Sequence, residues 1–344
     1  LAISSDMLKI CIITDAWKPQ INGVVTTLGE THKHLEKMGH RVLVLEPSSC
    51  KTIPCPSYPE IRLALNAGGY IKRELETFQA THIHIATEGP LGQSARRYCI
   101  KHKLQFTTSY HTQFPEYIKQ RLPIPLAWCY HFFRRFHNKA ACTMVGTPHQ
   151  KQLLEDRQFK NIVLWSRGVD CTIFKPHRKK FLDYPRPIWI YVGRVAVEKN
   201  IEAYLRLELP GTKVVIGDGP ASAELKQRYP EVKFEGYRFQ SELAQYLSAG
   251  DVFVFPSLTD TFGVVMLEAM ACGLPVAAFP VTGPRDVVRK NITGILDPDL
   301  TQACLAALQL KPEDCLAQAS EYTWQKASQQ FLDNLAPTGN QGEY

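Results

Sequence analysis

Short apolar runs rich in β-branched residues recur along this 344-residue chain, each followed by room for one helix, and that rhythm limits the folds open to it. "KICIITD" reads as a strand. The segment "AWKPQINGVVTTLGETHKHLEKMGHRVLVLEP" then supplies a Gly-containing loop, an amphipathic helix ending at Gly39, and a second strand. The pattern returns at "HIHIAT", "QFTTSY" and "CTMVGT", each before a helical stretch. Residues 167–187, "RGVDCTIFKPHRKKFLDYPRP", break it with proline and charge. It resumes through "IWIYVGR", "KVVIGDG", "VKFEGY", "VFVFPS" and "PVAAFP". Strands alternating with helices predict parallel sheets covered on both faces, here two doubly wound α/β domains facing a cleft. The expected boundaries are 7–170, a linker over 171–187, 188–320, and a C-terminal helix over 321–335 that packs back on the first domain.

A chain this long, 44% hydrophobic, can bury two full cores. The ten cysteines show no C-x-x-C pair and no Cys/His cluster at zinc spacing, so reduced thiols in a cytosolic protein are expected. "LAISSDMLKI" lacks the pattern of a secretory leader, with Met7 a candidate start, and the longest apolar runs are strand-sized. The net charge of +7 is uneven: residues 1–170 carry 22 Lys and Arg against 13 Asp and Glu, and ten of the eleven histidines. An anionic partner for the first half, a membrane surface or a nucleic acid, is therefore to be considered.

In open parallel sheets ligands bind beyond the carboxyl ends of the strands, so the loops there hold the candidates. Asn22 and Gly23 precede a helix, where backbone N–H groups could approach an anion. Arg194 and Lys199, in "VGRVAVEKN", would suit a diphosphate. "IGDGPAS" lacks the third glycine of a dinucleotide fingerprint and is explained by a tight turn. His111, in "SYHTQFPEY", and Glu88, in "ATEGPLG", stand at strand ends; a satisfied core histidine and a helix cap are their plainer roles. Asp260 and Glu268, in "FPSLTDTFGVVMLEAMACG", lie across a Phe-Gly step that begins a helix, with Glu268 about one and a half turns into it. Their placement fits two hands on one ligand better than a glycosidase pair, and no third ligand makes a metal site.

This ordered set resembles the retaining glycosyltransferases of family 4, whose GT-B fold consists of two Rossmann-like domains. The resemblance runs from "NGV" through "RGVD", "VGR" with "EKN", "GDGP" and "FGVVMLEAMACGLPV" to the terminal Trp helix. "ATEGPLG", "SYHTQFPEY" and "RRFHN" are similar to the narrower branch that glycosylates diacylglycerol, which includes monoglucosyl and sulfoquinovosyl diacylglycerol synthases. It implies a nucleotide-sugar on the second domain and the acceptor on the first. Arg194 and Lys199 would hold the diphosphate, helped by amides around Phe262, Gly263 and Val264. Glu268 would take the ribose hydroxyls and Asp260 the sugar. Gly23 would leave room at the phosphate, His111 would stand near the reacting centre, and Tyr237 would meet the nucleobase. The family commonly has Glu where Asp260 stands, which bears on the donor sugar. The implied reaction moves a hexose, from UDP-glucose or a similar donor, to a lipid hydroxyl without metal or cofactor, the leaving phosphate taking the acceptor proton.

The segment from Trp128 to Phe136 bears on the acceptor. At about 100° per residue, Trp128, Phe132, Phe136, Cys129 and Phe133 share one arc, opposite His131, Arg134 and Arg135. Such a helix suits an anionic membrane, with Trp128, Phe132, Arg134 and Arg135 as contacts; an ordinary core face is the alternative. The expected protein is cytoplasmic and peripherally membrane-associated, with no nucleic-acid partner. A non-lipid acceptor, a nucleotide-sugar epimerase of the same fold and a non-catalytic binding module are the competing readings, and an oxidoreductase ranks below them.

Overall fold

A computed structural model describes residues 7–20, 22–55, 58–121 and 125–339. The chain divides into two compact units: residues 1–166 with 325–344, and residues 167–324.

The first unit runs β1 (Lys9–Ile13), α1 (Gly23–Lys37), β2 (Arg41–Leu45), β3 (Lys51–Cys55), β4 (Tyr58–Leu65), α2 (Gly68–Phe78), β5 (His82–Ile85), α3 (Pro90–Lys101), β6 (Thr107–Ser109), α4 (Phe114–Arg121), α5 (Leu126–His137), β7 (Thr143–Val145), α6 (Pro148–Asp156) and β8 (Ile162–Leu164). Six of its strands form a parallel sheet in the order β2-β1-β5-β6-β7-β8, and β3 pairs antiparallel with β4. Ile10, Cys11, Ile12 and Ile13 of β1 are all fully buried. Such a strand needs apolar side chains on both faces, which explains the continuous run in "KICIITD".

The second unit runs β9 (Ile188–Val192), α7 (Ile201–Leu205), β10 (Thr212–Ile216), α8 (Ser222–Arg228), β11 (Lys233–Gly236), α9 (Gln240–Ala249), β12 (Val252–Phe255), α10 (Val264–Ala271), β13 (Val276–Ala278), α11 (Pro284–Val287), β14 (Gly294–Leu296), α12 (Leu300–Ala307) and α13 (Pro312–Glu321). Its parallel sheet has the order β11-β10-β9-β12-β13-β14. The segment 171–187 is not a bare connector: Phe174 and Leu182 are buried in this unit's core with Ile188 and Phe253. Apolar residues spaced irregularly among prolines can still pack, and periodicity does not detect them.

The expected single helix over 321–335 is corrected. Glu321 closes α13, and α14 spans Trp324–Asp333. Phe331 of α14 packs with Trp165, Ile10 and Ile12 in the first unit.

Asp15, just past β1, fastens that unit's centre. Its carboxylate accepts the N–H groups of Leu91 (2.8 Å) and Gly92 (3.2 Å) and the Thr87 hydroxyl (2.8 Å), capping α3 from another strand. Burial pushes its carboxyl up despite these bonds. A Cβ on Gly92 would lie 1.9 Å from the Thr87 carbonyl oxygen, which is backbone and cannot yield cheaply. Gly92→Ala is therefore expected to cost about 3 kcal/mol, measured as a lower melting temperature and denaturant midpoint.

Candidate active site

In the second unit the chain order reverses direction between β9 and β12, two neighbouring parallel strands. The loops leaving such a pair diverge and open a crevice at their carboxyl ends. Arg194 and Lys199 follow β9, and Asp260 follows β12. The two loops are stitched together: Asn200 Nδ2 donates to the Pro256 carbonyl (3.0 Å) and the Thr259 hydroxyl to that of Glu198 (3.5 Å). Lys199 Nζ donates to Asp260 Oδ1 at 2.5 Å, with both side chains partly exposed. The other oxygen, Asp260 Oδ2, is buried without a hydrogen-bond partner among the described residues, a cost that a ligand hydroxyl could relieve.

Glycines make these loops possible. Cβ atoms on Gly217 and Gly219 would come within 2.0 Å of the Gly193 carbonyl and 2.4 Å of the Val195 carbonyl, so the "GDGP" turn is pressed against the loop that carries Arg194. Gly263 has φ +82° at the start of α10, a conformation that suits glycine and lets the chain turn directly from the Asp260 loop into the helix. Phe262 is buried, anchoring that turn, while Gly263 and Val264 remain partly accessible.

Glu268 lies inside α10 and keeps slight solvent access. Burial pushes its carboxyl from near 4.5 up to about 7. Tyr237 follows β11 and is 39% exposed; burial and then the Glu268 charge raise its hydroxyl, which puts the two groups within electrostatic reach. Its ring meets Phe239 edge-on at 4.9 Å. Structure thus brings Lys199 to Asp260 and Tyr237 towards Glu268, while Arg194 stands half-buried at the end of β9.

In the first unit, Gly23 opens α1, capped by Asn22 Oδ1, which accepts from Val24 and Val25 at 3.0 Å. A Cβ on Gly23 would meet nothing within 4 Å, so packing inside the chain does not demand glycine there. His111 lies two residues past β6, its Nε2 2.8 Å from the Ser109 hydroxyl oxygen. Glu88 is not a helix cap. Its Oε1 is 3.0 Å from Nε2 of the buried His137, whose Nδ1 lies 2.9 Å from the Thr108 hydroxyl.

The single aromatic arc of α5 is corrected. Cys129, Phe133 and Phe136 are buried together with Tyr130 and His137, whereas Trp128 is 74% and Phe132 53% exposed. The buried stripe is rotated by about one residue step, because Tyr130 and His137 pack inward although both carry polar atoms. Trp128 and Phe132 therefore share the solvent side with His131 and Arg135. Arg134 instead donates to the Arg157 carbonyl (3.1 Å) and the Gln158 side chain (3.0 Å) at the end of α6.

Residues 21–173 match the model described as Glycosyltransferase Family 4, and residues 186–310 match Glycosyl transferases group 1. The chain is a glycosyltransferase. Among relatives of this glycosyltransferase, a GDP-mannose-dependent alpha-mannosyltransferase of Mycobacterium tuberculosis is 28% identical, over 85% of this chain and 84% of that protein. A sulfoquinovosyl transferase of Arabidopsis thaliana is 29% identical over 80% of this chain, though over only 61% of its own length. An alpha-monoglucosyldiacylglycerol synthase of Streptococcus pneumoniae is 24% identical over 94% and 83%. In fold, the glycosyltransferase resembles a sucrose-phosphate synthase from Thermosynechococcus elongatus: TM-score 0.75, 20% identity, 94% of this chain and 97% of that one. The Anabaena HepE structure with UDP and glucose gives 0.70 at 16% identity, over 94% and 98%. The GT-B expectation holds in both parallel-sheet units.

The sequence reading of this glycosyltransferase passed over Asp15, Ser109 and His137. Asp15 ends the first apolar run, a position that could have flagged it. No local pattern marks His137, whose partner Glu88 is 49 residues away.

Proposed function

We propose that this glycosyltransferase moves a hexose from a UDP-sugar to a lipid hydroxyl, most simply that of diacylglycerol, with retention at the anomeric carbon. The observation that carries the donor half is the Lys199–Asp260 pair at the β9/β12 switch, with Asp260 Oδ2 buried and without a hydrogen-bond partner among the described residues. Lys199 and Arg194 take the diphosphate, the amides of Phe262, Gly263 and Val264 assist, Asp260 takes sugar hydroxyls, Glu268 the ribose and Tyr237 the base. Gly23 leaves space at the phosphate, and His111 serves the reacting centre. The acceptor oxygen bonds to the anomeric carbon on the face that the diphosphate leaves, and the departing phosphate oxygen accepts the hydroxyl proton. Neither a metal ion nor a cofactor takes part, so turnover should persist in excess chelator.

The lipid half is supported by the glucosyldiacylglycerol synthases among the relatives and by the exposed Trp128 and Phe132 beside His131 and Arg135. Among the described residues no helix is long and apolar enough to cross a membrane. The association proposed here is peripheral, at a cytoplasmic membrane face, through this exposed surface of α5. The pair Trp128→Ala and Phe132→Ala is expected to weaken sedimentation with anionic vesicles by about tenfold at unchanged melting temperature. Equal binding would remove this surface from the lipid reading.

A GDP-mannose donor is the second reading, favoured by the mannosyltransferases of Mycobacterium, Mycolicibacterium and Corynebacterium among the relatives. Thermal shift with UDP and GDP separates the two, because the nucleotide that binds the native state stabilises it. Labelled UDP-glucose, UDP-galactose and GDP-mannose, each incubated with diacylglycerol vesicles, then test transfer. Absence of labelled lipid with all of them, in the presence of a stabilising nucleotide, would sink the lipid acceptor.

A further inference from the structure

A buried histidine outside the proposed donor site stands behind His111. His84 on β5 has no solvent exposure, and β6 runs alongside it with His84 and Thr107 in register. Its Nδ1 is 2.9 Å from the Thr107 hydroxyl and its Nε2 is 3.1 Å from that of Ser109, the same hydroxyl that meets His111 Nε2 at 2.8 Å. Thr107, His84, Ser109 and His111 therefore form one chain of hydrogen bonds leading from the sheet interior to the strand end. Aromatic rings hold it laterally: Phe331 of α14 is 4.8 Å from His84, and Trp165 lies 5.9 Å from His84 and 5.5 Å from His111.

Each hydroxyl in the chain has one proton, and that orders the donors. With the Thr107 proton directed to the Ile83 carbonyl at 3.5 Å, the Thr107 oxygen accepts Nδ1–H of His84. His84 Nε2 is then an acceptor for the Ser109 proton. The Ser109 oxygen is left to receive Nε2–H of His111. In a neutral ring Nδ1 is consequently the acceptor nitrogen.

We propose that His84, acting through Ser109, is a positioning residue that fixes the ring orientation and the Nε2–H tautomer of His111. This rests on the role given to His111 above, and its test separates the two. The imidazoles are labelled with 15N, and the two-bond 1H–15N correlations of His111 are recorded at alkaline pH in the parent and in His84→Phe, which keeps an aromatic ring against Phe331 and Trp165. Ser109→Ala serves as the second variant should His84→Phe melt early. The expected result is Nε2–H in the parent and a mixture of tautomers in either variant. An Nδ1–H parent, or a tautomer unmoved by both substitutions, overturns the proposal.

Turnover supplies the second readout, with the labelled donor that transfers. His84→Phe should lower kcat by about 10-fold to 100-fold at near-constant donor KM, and should add no loss in a His111→Ala background. An equal further loss there shows a general structural effect and overturns the positioning role. If the parent transfers nothing from any donor, the glycosyl-transfer reading falls, and the tautomer measurement alone decides the relay.

Discussion

Lys199→Ala should lower turnover by about 10²-fold to 10³-fold, the scale of losing one fixed charge at a site of developing negative charge. When the diphosphate departs, it gains charge that water cannot stabilise at once, and a cation already held in place needs no reorganisation. Lys199 is held in that way. Its ammonium is pinned at 2.5 Å to Asp260, on a loop tied to the neighbouring strand end by Asn200. Stability should change by only about 1 kcal/mol, because both partners of the pair are partly solvated. Lys199→Arg should recover little, since a planar fork on a longer arm does not reproduce a point charge at that distance from Asp260. Steady-state kinetics with the transferring donor, beside a melting curve, reads both parts. Turnover within threefold of the parent would mean that the diphosphate lies elsewhere.

Legibility from sequence tracked how local the physical signal was. The run Ile10–Ile13 announced a strand buried on both faces, and the alternation announced doubly wound parallel sheets, whereas the strand order that creates the β9/β12 crevice is set by tertiary packing. Asp260 and Glu268 could be placed because one strand, one turn and one helix connect them. The β3–β4 hairpin escaped notice: "KTIPC" carries a proline, and its pairing with Tyr58–Leu65 is antiparallel in an otherwise parallel unit. On α5 the period was right and the phase was wrong, since aromatic residues occupy both its buried and its solvent sides and burial is decided by what packs above it. The Glu88–His137 pair and the His84 relay join residues far apart in sequence, and only the fold brings them into bonding distance.

Glu268→Gln should make the ligand-free protein more stable and the enzyme worse. Folding raises the carboxyl from near 4.5 to about 7, so the folded state favours the neutral acid. For a raised acid the penalty is absent below the unfolded value, grows as pH rises between the two values, and is complete above the folded one. The shift, discounted because Glu268 keeps some solvent contact, amounts to about 2 kcal/mol. The parent's ligand-free melting temperature should therefore fall from pH 5 to pH 8, a span set by those two values, while that of Glu268→Gln changes less and lies higher at pH 8. On the proposed role, in which ribose hydroxyls donate to the ionised carboxylate, donor affinity should rise over the same interval and binding below about pH 7 should release a proton. The amide lacks that charge, and about tenfold weaker donor binding at pH 8 is expected. Calorimetry in buffers of different ionisation enthalpy counts the proton directly. A variant that binds donor as tightly as the parent and melts no higher would remove Glu268 from the ribose and leave its burial without a functional cause.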